Sequence, residues 1–138
     1  MACVRVGYFE GFKGQDTLLI DGDTEGLSQL ARSLTGLIAG DRDVLPLHSL
    51  PFVSAPNGVE LSAHCATKDL GMLRRPNGFE WRRSARGWAG VVEQVLGVKE
   101  QGKCHQYLDA PSDEVVVMVS SGEYGEPWPR WGPTPWAK

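Results

Sequence analysis

TLLIDGDTEGLSQLARSL, residues 17–34, runs an apolar strand into the start of an amphipathic helix, and the rest of the chain arranges itself around that unit. Leu27, Leu30, Ala31, Leu34, Leu37 and Ile38 recur at helical spacing, which places them on one apolar face. Asp21, Asp23 and Thr24 supply the N-cap and favourable negative charge at the helix start. Gly40 stops the helix.

Working outward, residues 3–9 alternate as a strand, and glycines at 11 and 14 turn it into a second strand over 17–21. Val59, Leu61, Ala63 and Cys65 alternate with polar neighbours, the period of a half-buried strand. Residues 71–75 and 79–83 flank Asn77-Gly78, a pair tolerant of positive φ, and so form a hairpin. In that register Met72, Phe79 and Trp81 share one face, and Arg75 lies across from Glu80 on the other. A second helix is expected from Ser84, burying Trp88, Val91, Val92, Val95 and Leu96. Residues 103–108 and 114–120 read as two strands joined by the turn Ala110-Pro111-Ser112-Asp113. The expectation is a single α+β domain over 1–125, two helices packed on a mainly antiparallel sheet, followed by a Pro/Trp-rich tail over 126–138. PNGVE at Pro56 and PNGFE at Pro76 nearly match, but a Pro-Asn-Gly turn recurs readily by chance.

The 138 residues suffice for one core without staples. A formal charge of -3 argues against a general nucleic-acid binder, which needs net positive charge. Three cysteines cannot all pair internally and fit a reducing compartment. The N-terminus carries Arg5 and Glu10 where a signal peptide needs an unbroken apolar run, and no other run spans a bilayer. A cytoplasmic protein without membrane contact is expected.

Several patterns look like chemistry and fail on spacing. Asp21 to Gly26 begins like a calcium loop, yet Arg32 stands where the bidentate glutamate belongs. His64-Cys65 and Cys104-His105 offer zinc-ligand atoms, but neighbours on a strand point to opposite faces. No metal or cofactor and no catalytic residue is assigned. Arg74, Arg75, Arg82, Arg83 and Arg86 form the basic cluster; with Glu80 among them, they read as a charged hairpin face. In the tail, four prolines exclude a helix or inner strand, so Trp128, Trp131 and Trp136 either pack back on the domain or serve as anchors.

Two segments together carry a family resemblance. One is the apolar strand, Asp-Gly turn, Glu-Gly-Leu and leucine-rich helix over residues 18–37. The other is His-Gln-Tyr-Leu at 105–108, followed by a valine strand and Ser-Ser-Gly-Glu-Tyr at 120–124. The chain thereby resembles the α+β immunity proteins of bacterial polymorphic toxin systems, over most of its length up to about residue 125. The resemblance implies an antidote that binds a co-encoded toxin, with no enzyme activity and no cofactor. A toxin that acts on polyanions presents a basic surface, so the acidic stretches become candidate partner-binding residues. These are Asp21, Asp23, Glu25, Asp113, Glu114, Glu123 and Glu126, joined by Trp128 and Trp131 as aromatic anchors. Two readings of other classes stand beside it: a small enzyme using His64 or His105 with Glu123, and a nucleic-acid module using the arginine hairpin.

Overall fold

Val4, Val6 and Tyr8 alternate as the first strand requires, and they pair with the strand that feeds the first helix. The computed structural model describes residues 2–12, 15–101, 105–108 and 115–121. β1 (Val4–Phe12) and β2 (Gln15–Gly22) run antiparallel, with Val6 opposite Ile20 and Gly7 opposite Leu19. Asp23 then caps α1 (Thr24–Ala39), its Oδ1 accepting from Gly26 N at 2.6 Å. The same oxygen accepts from Cys3 N at 3.1 Å, so one carboxylate ties the helix start to the entry of β1. The apolar stripe is buried from Leu27 to Leu37, with Ile38 half-buried beside it. Gly40 ends the helix at φ 82°, a left-handed conformation that suits glycine.

The chain continues through β3 (Val44–Pro46), a 3-10 turn at Leu47–Ser49 and β4 (Val53–Ser54) into β5 (Glu60–Cys65). β6 (Gly71–Arg75) and β7 (Gly78–Arg83) form the expected antiparallel hairpin. α2 (Ala85–Gln101) begins where Ser84 predicts, with Ser84 Oγ accepting from Gly87 N at 3.0 Å. β8 (His105–Leu108) and β9 (Val116–Ser121) close the chain as an antiparallel pair, and the expected turn between them lies outside the described residues.

The fold is α+β with two helices, but the strands make two mixed sheets instead of one mainly antiparallel sheet. The first has the order β4-β1-β2-β9-β8 and the second β3-β5-β7-β6. β2 pairs with β9, β1 with β4 and β5 with β7, all in parallel. The reason is topological: β9 returns to β2 only after both helices and the whole second sheet, a long-range pairing that turn chemistry does not encode. The segments β3 and β4 escaped the sequence reading because each is very short, three and two residues, and they lie in a stretch with prolines at 46, 51 and 56.

One core runs through both sheets and both helices. Val6, Ile20 and Val117 contribute from the first sheet, Leu61, Ala63, Phe79 and Trp81 from the second. Leu30, Leu34 and Leu37 come from α1, and Trp88, Val91, Val95 and Val98 from α2. Val98 replaces Val92 and Leu96 in the buried stripe of α2, because 88, 91, 95 and 98 follow the helical repeat while 92 and 96 fall on its flank. Tyr8 and Phe79 meet at 5.0 Å between ring centroids and join the inner faces of the two sheets. Among the described residues no helix is long and apolar enough to cross a membrane.

Candidate functional site

Alternation along β5 and β7 sends Leu61, Ala63, Phe79 and Trp81 into the core and leaves the opposite face of the second sheet to solvent. Register assembles that outer face. Val44 of β3 stands opposite His64 of β5, which stands opposite Arg82 of β7; Ser62, Glu80 and Leu73 form the next row. Glu80 is its electrostatic centre. Oε2 accepts from Arg75 Nε at 2.6 Å, and Oε1 accepts from Arg82 Nη2 at 2.6 Å. These two guanidiniums, Arg75 first, pull the Glu80 carboxyl down to about 2. His64 Nε2 lies 3.9 Å from Glu80 Oε1, and burial pushes its imidazole below the usual histidine range against the pull of Glu80. Two cations share one carboxylate, so the centre of the face carries excess positive charge. Val44 and Leu73 flank it at opposite edges, 45% and 40% exposed.

The Glu80 network has a pH signature. Its folded pKa of about 2 lies below the ordinary 4.5, so its stabilisation is complete above pH 4.5 and is lost as the pH falls toward 2. Asp69 titrates in the same direction, because the Ser84 N–H and hydroxyl hold its carboxyl down. Urea unfolding at pH 6 and pH 3 is expected to show wild type losing more stability on acidification than Glu80→Gln. Equal losses would mean that the ion pairs contribute nothing to folding.

The arginine cluster divides between environments. Arg75 and Arg82 lie on the open face, whereas Arg74 sits over the rings of Tyr8 and Phe79 at 5.4 and 5.5 Å and donates to the Tyr8 hydroxyl. Arg83 is buried, its Nε 3.7 Å from Asp69 Oδ1. Arg74, Arg75, Arg82 and Arg83 therefore form no single stripe. His64 and His105 belong to different sheets, and Glu123 lies outside the described residues. His105 is exposed on β8, its ring 5.8 Å from that of Tyr107.

The acidic candidates fare differently. Asp21, expected on a partner-facing surface, is only 5% exposed: Oδ1 accepts from Ser120 Oγ at 2.7 Å, and Oδ2 accepts from Arg5 at 3.4 Å. It belongs to a central strand, and its carboxylate stitches β1, β2 and β9 together. Asp23 is occupied by the helix cap, and Glu25 is exposed in the first turn of α1. Asp113, Glu114, Glu123, Glu126, Trp128 and Trp131 lie outside the described residues. The sequence reading placed Arg75 and Glu80 on one face but missed Val44 and His64 there, because only the parallel β5/β7 pairing brings them alongside.

A cleft of about 230 Å³, lined by Ser33, Gly36, Asp41, Arg42, Leu45 and Leu50, lies beside the end of α1. It is smaller than the ~300–1,000 Å³ of typical small-molecule sites. No protein-family model matches the chain, and no curated protein or solved structure is significantly similar to it.

Proposed function

We propose that this chain is an immunity protein, an antidote that binds a bacterial toxin in the cytoplasm and neutralises it by surface complementarity without catalysis. The observation that carries the reading is the outer face of the second sheet, where apolar side chains flank a compact arginine-carboxylate network on a rigid support. Arginine is enriched among interface anchors, and the flanking aliphatics add apolar area around it. The paired sequence motifs over 18–37 and 105–124 supply the family resemblance. The internal work of the acidic and basic groups supports binding over chemistry: Asp21, Asp23 and Asp69 hold strands and helix starts, and His48 Nδ1 accepts from Leu61 N at 3.1 Å. Because its centre carries excess positive charge, this sheet face would suit an acidic patch on the toxin, since like charges across an interface repel.

The test pairs this protein with the toxin encoded beside it. Co-expression is expected to protect cells, and the purified pair to form a stable complex with no turnover of either chain. The double substitution Leu73→Asp with Arg82→Glu is expected to weaken the complex at least tenfold, about 1.4 kcal/mol. Arg32→Glu, on the exposed side of α1, is expected to leave affinity unchanged. Killing that proceeds equally with and without the protein would end the immunity reading. Full affinity in the double variant would move the interface elsewhere.

A further inference from the structure

Glu80 lies between two arginines on the outer face of the second sheet. Arg82 stands two residues along β7 from it, and Arg75 of β6 stands opposite Gly78, two residues the other way. Because Gly78 carries no side chain, no side chain of β7 separates Arg75 from the Glu80 carboxylate, and each carboxylate oxygen accepts from one guanidinium at 2.6 Å. The side chains of Arg75 and Arg82 are 50% and 35% exposed against 19% for Glu80, so the carboxylate is the deeper partner and the guanidiniums the outer ones. Each guanidinium donates to Glu80 from one nitrogen and keeps further N–H groups on its partly exposed fork.

Two cations on one anion leave an excess positive charge. His64 adds none at neutral pH, since burial holds its imidazole below the usual histidine range. Glu60 is also on this face, but it lies across Gly78 from Arg75, two strand spacings or roughly 10 Å away. Arg74 and Arg83 turn elsewhere, to Tyr8 and Asp69. The excess is therefore local and matches one oxyanion, with exposed Leu73 and Val44 as the apolar surroundings. A nucleic-acid strand would bring its next phosphates over Glu60 or over those aliphatics, where no arginine of this face meets them. A protein surface offers the better match, a carboxylate set in apolar carbon.

We propose that Arg75 and Arg82 form a clamp for one aspartate or glutamate side chain of the partner, each guanidinium donating to one of its oxygens above Glu80. The proposal rests on the reading of this face as the toxin-binding surface, and it adds what that surface recognises. Long side chains lose rotamer freedom when they bind, but the bonds to Glu80 already hold both forks, so little of that loss remains. Glu80 in turn keeps the excess to one charge, which disfavours partners carrying a dense run of anions. A contact of this kind depends on the planar guanidinium fork and not on charge alone, so lysine does not substitute for arginine in it.

The test uses the full chain and needs no toxin. Nitrogen-labelled protein is titrated with the capped tripeptide acetyl-Leu-Glu-Leu-amide while the arginine Nε–Hε signals are followed by NMR. The signals of Arg75 and Arg82 are expected to shift together and saturate, and the glutamine version of the peptide to move neither. The double variant Arg75→Lys, Arg82→Lys keeps the charge and is expected to bind the glutamate peptide more weakly by roughly fivefold or more. A short single strand of DNA is the rival probe and is expected to bind no more tightly than the peptide. The clamp is overturned if the two signals stay still with the glutamate peptide, if the glutamine peptide moves them equally, if a folded lysine variant binds as wild type does, or if the DNA binds more tightly. Should the lysine variant not fold, the wild-type signals decide. Peptide binding without protection from the toxin would end the immunity reading and leave the clamp standing, and protection without peptide binding would do the reverse.

Discussion

Gly78→Ala is expected to destabilise the fold severely, with a closer backbone obstruction than an added Cβ meets at any glycine of the two helices. A Cβ at position 78 would lie 1.8 Å from the Glu60 carbonyl oxygen and 2.6 Å from its carbon, both backbone atoms with no rotamer to yield. Glu60 and Gly78 open the parallel pairing of β5 with β7, and Glu60 N donates to Asn77 O at 3.0 Å beside the contact. Relieving the clash means prying the two strands apart where Leu61, Phe79, Ala63 and Trp81 follow as core. Overpacking a responsive core costs about 1–3 kcal/mol, and a backbone obstruction should exceed that range. Against a total stability of about 5–15 kcal/mol, such a loss removes a large share of the folding free energy. Gly36→Ala is the control: its Cβ meets nothing within 4 Å inside α1, and it is expected to stabilise by about 0.5–1 kcal/mol. Urea denaturation of both variants checks the pair. A Gly78→Ala protein as stable as wild type would mean that the β5/β7 register is wrong.

That glycine also shows how far the sequence could be read. Asn77-Gly78 correctly marks a hairpin, but for a different reason: left-handed glycines fall at 40, 58 and 71, and Gly78 is required by the close approach of β5. Much of what nearby residues govern was legible. The cap, stripe and stop of α1 lie within one helical repeat, and the hairpins β1/β2, β6/β7 and β8/β9 follow from adjacent strands. The parallel pairings were not, since nothing local to β2 announces β9 and nothing local to β5 announces β7.

The candidate site divides along the same line. Arg75 and Glu80 were placed on one face by simple alternation, and they are ion-paired there. Assembly with His64 and Val44 depends on the long-range register. Asp21 misled because acidic residues at a helix start read as surface, whereas this one ends a strand covered on both sides. The unbroken apolar runs LLI at 18–20 and VVVMV at 115–119 are the signal for such doubly covered strands, and alternation alone does not reveal it.

Trp88→Ala is expected to be the most damaging truncation in the core, at about 3–5 kcal/mol. Trp88 is fully buried on α2 and packs edge-on against Trp81 at 4.8 Å between centroids, the contact that seats the helix beneath β7. Its Nε1 also donates to the His64 carbonyl at 2.9 Å, which fixes the backbone of β5 directly under the open face. Trp88→Phe separates the two roles, because it keeps most of the aromatic surface and removes only the donor; a cost of about 1–3 kcal/mol is expected for the stranded carbonyl. Chemical unfolding of the two variants gives the split. Equal destabilisation by Phe and Ala would assign nearly all of the tryptophan's worth to one hydrogen bond and overturn the packing account. The Phe variant also bears on function. If the outer face of the second sheet binds the toxin, a folded Trp88→Phe protein still presents Arg75, Glu80 and Arg82 on the same strands and should protect, whereas protection by Trp88→Ala should fall only in proportion to its unfolded fraction. Loss of protection in a Phe variant that is fully folded would show that the exact height of β5 at His64, and not merely the presence of its neighbours, is what the partner reads.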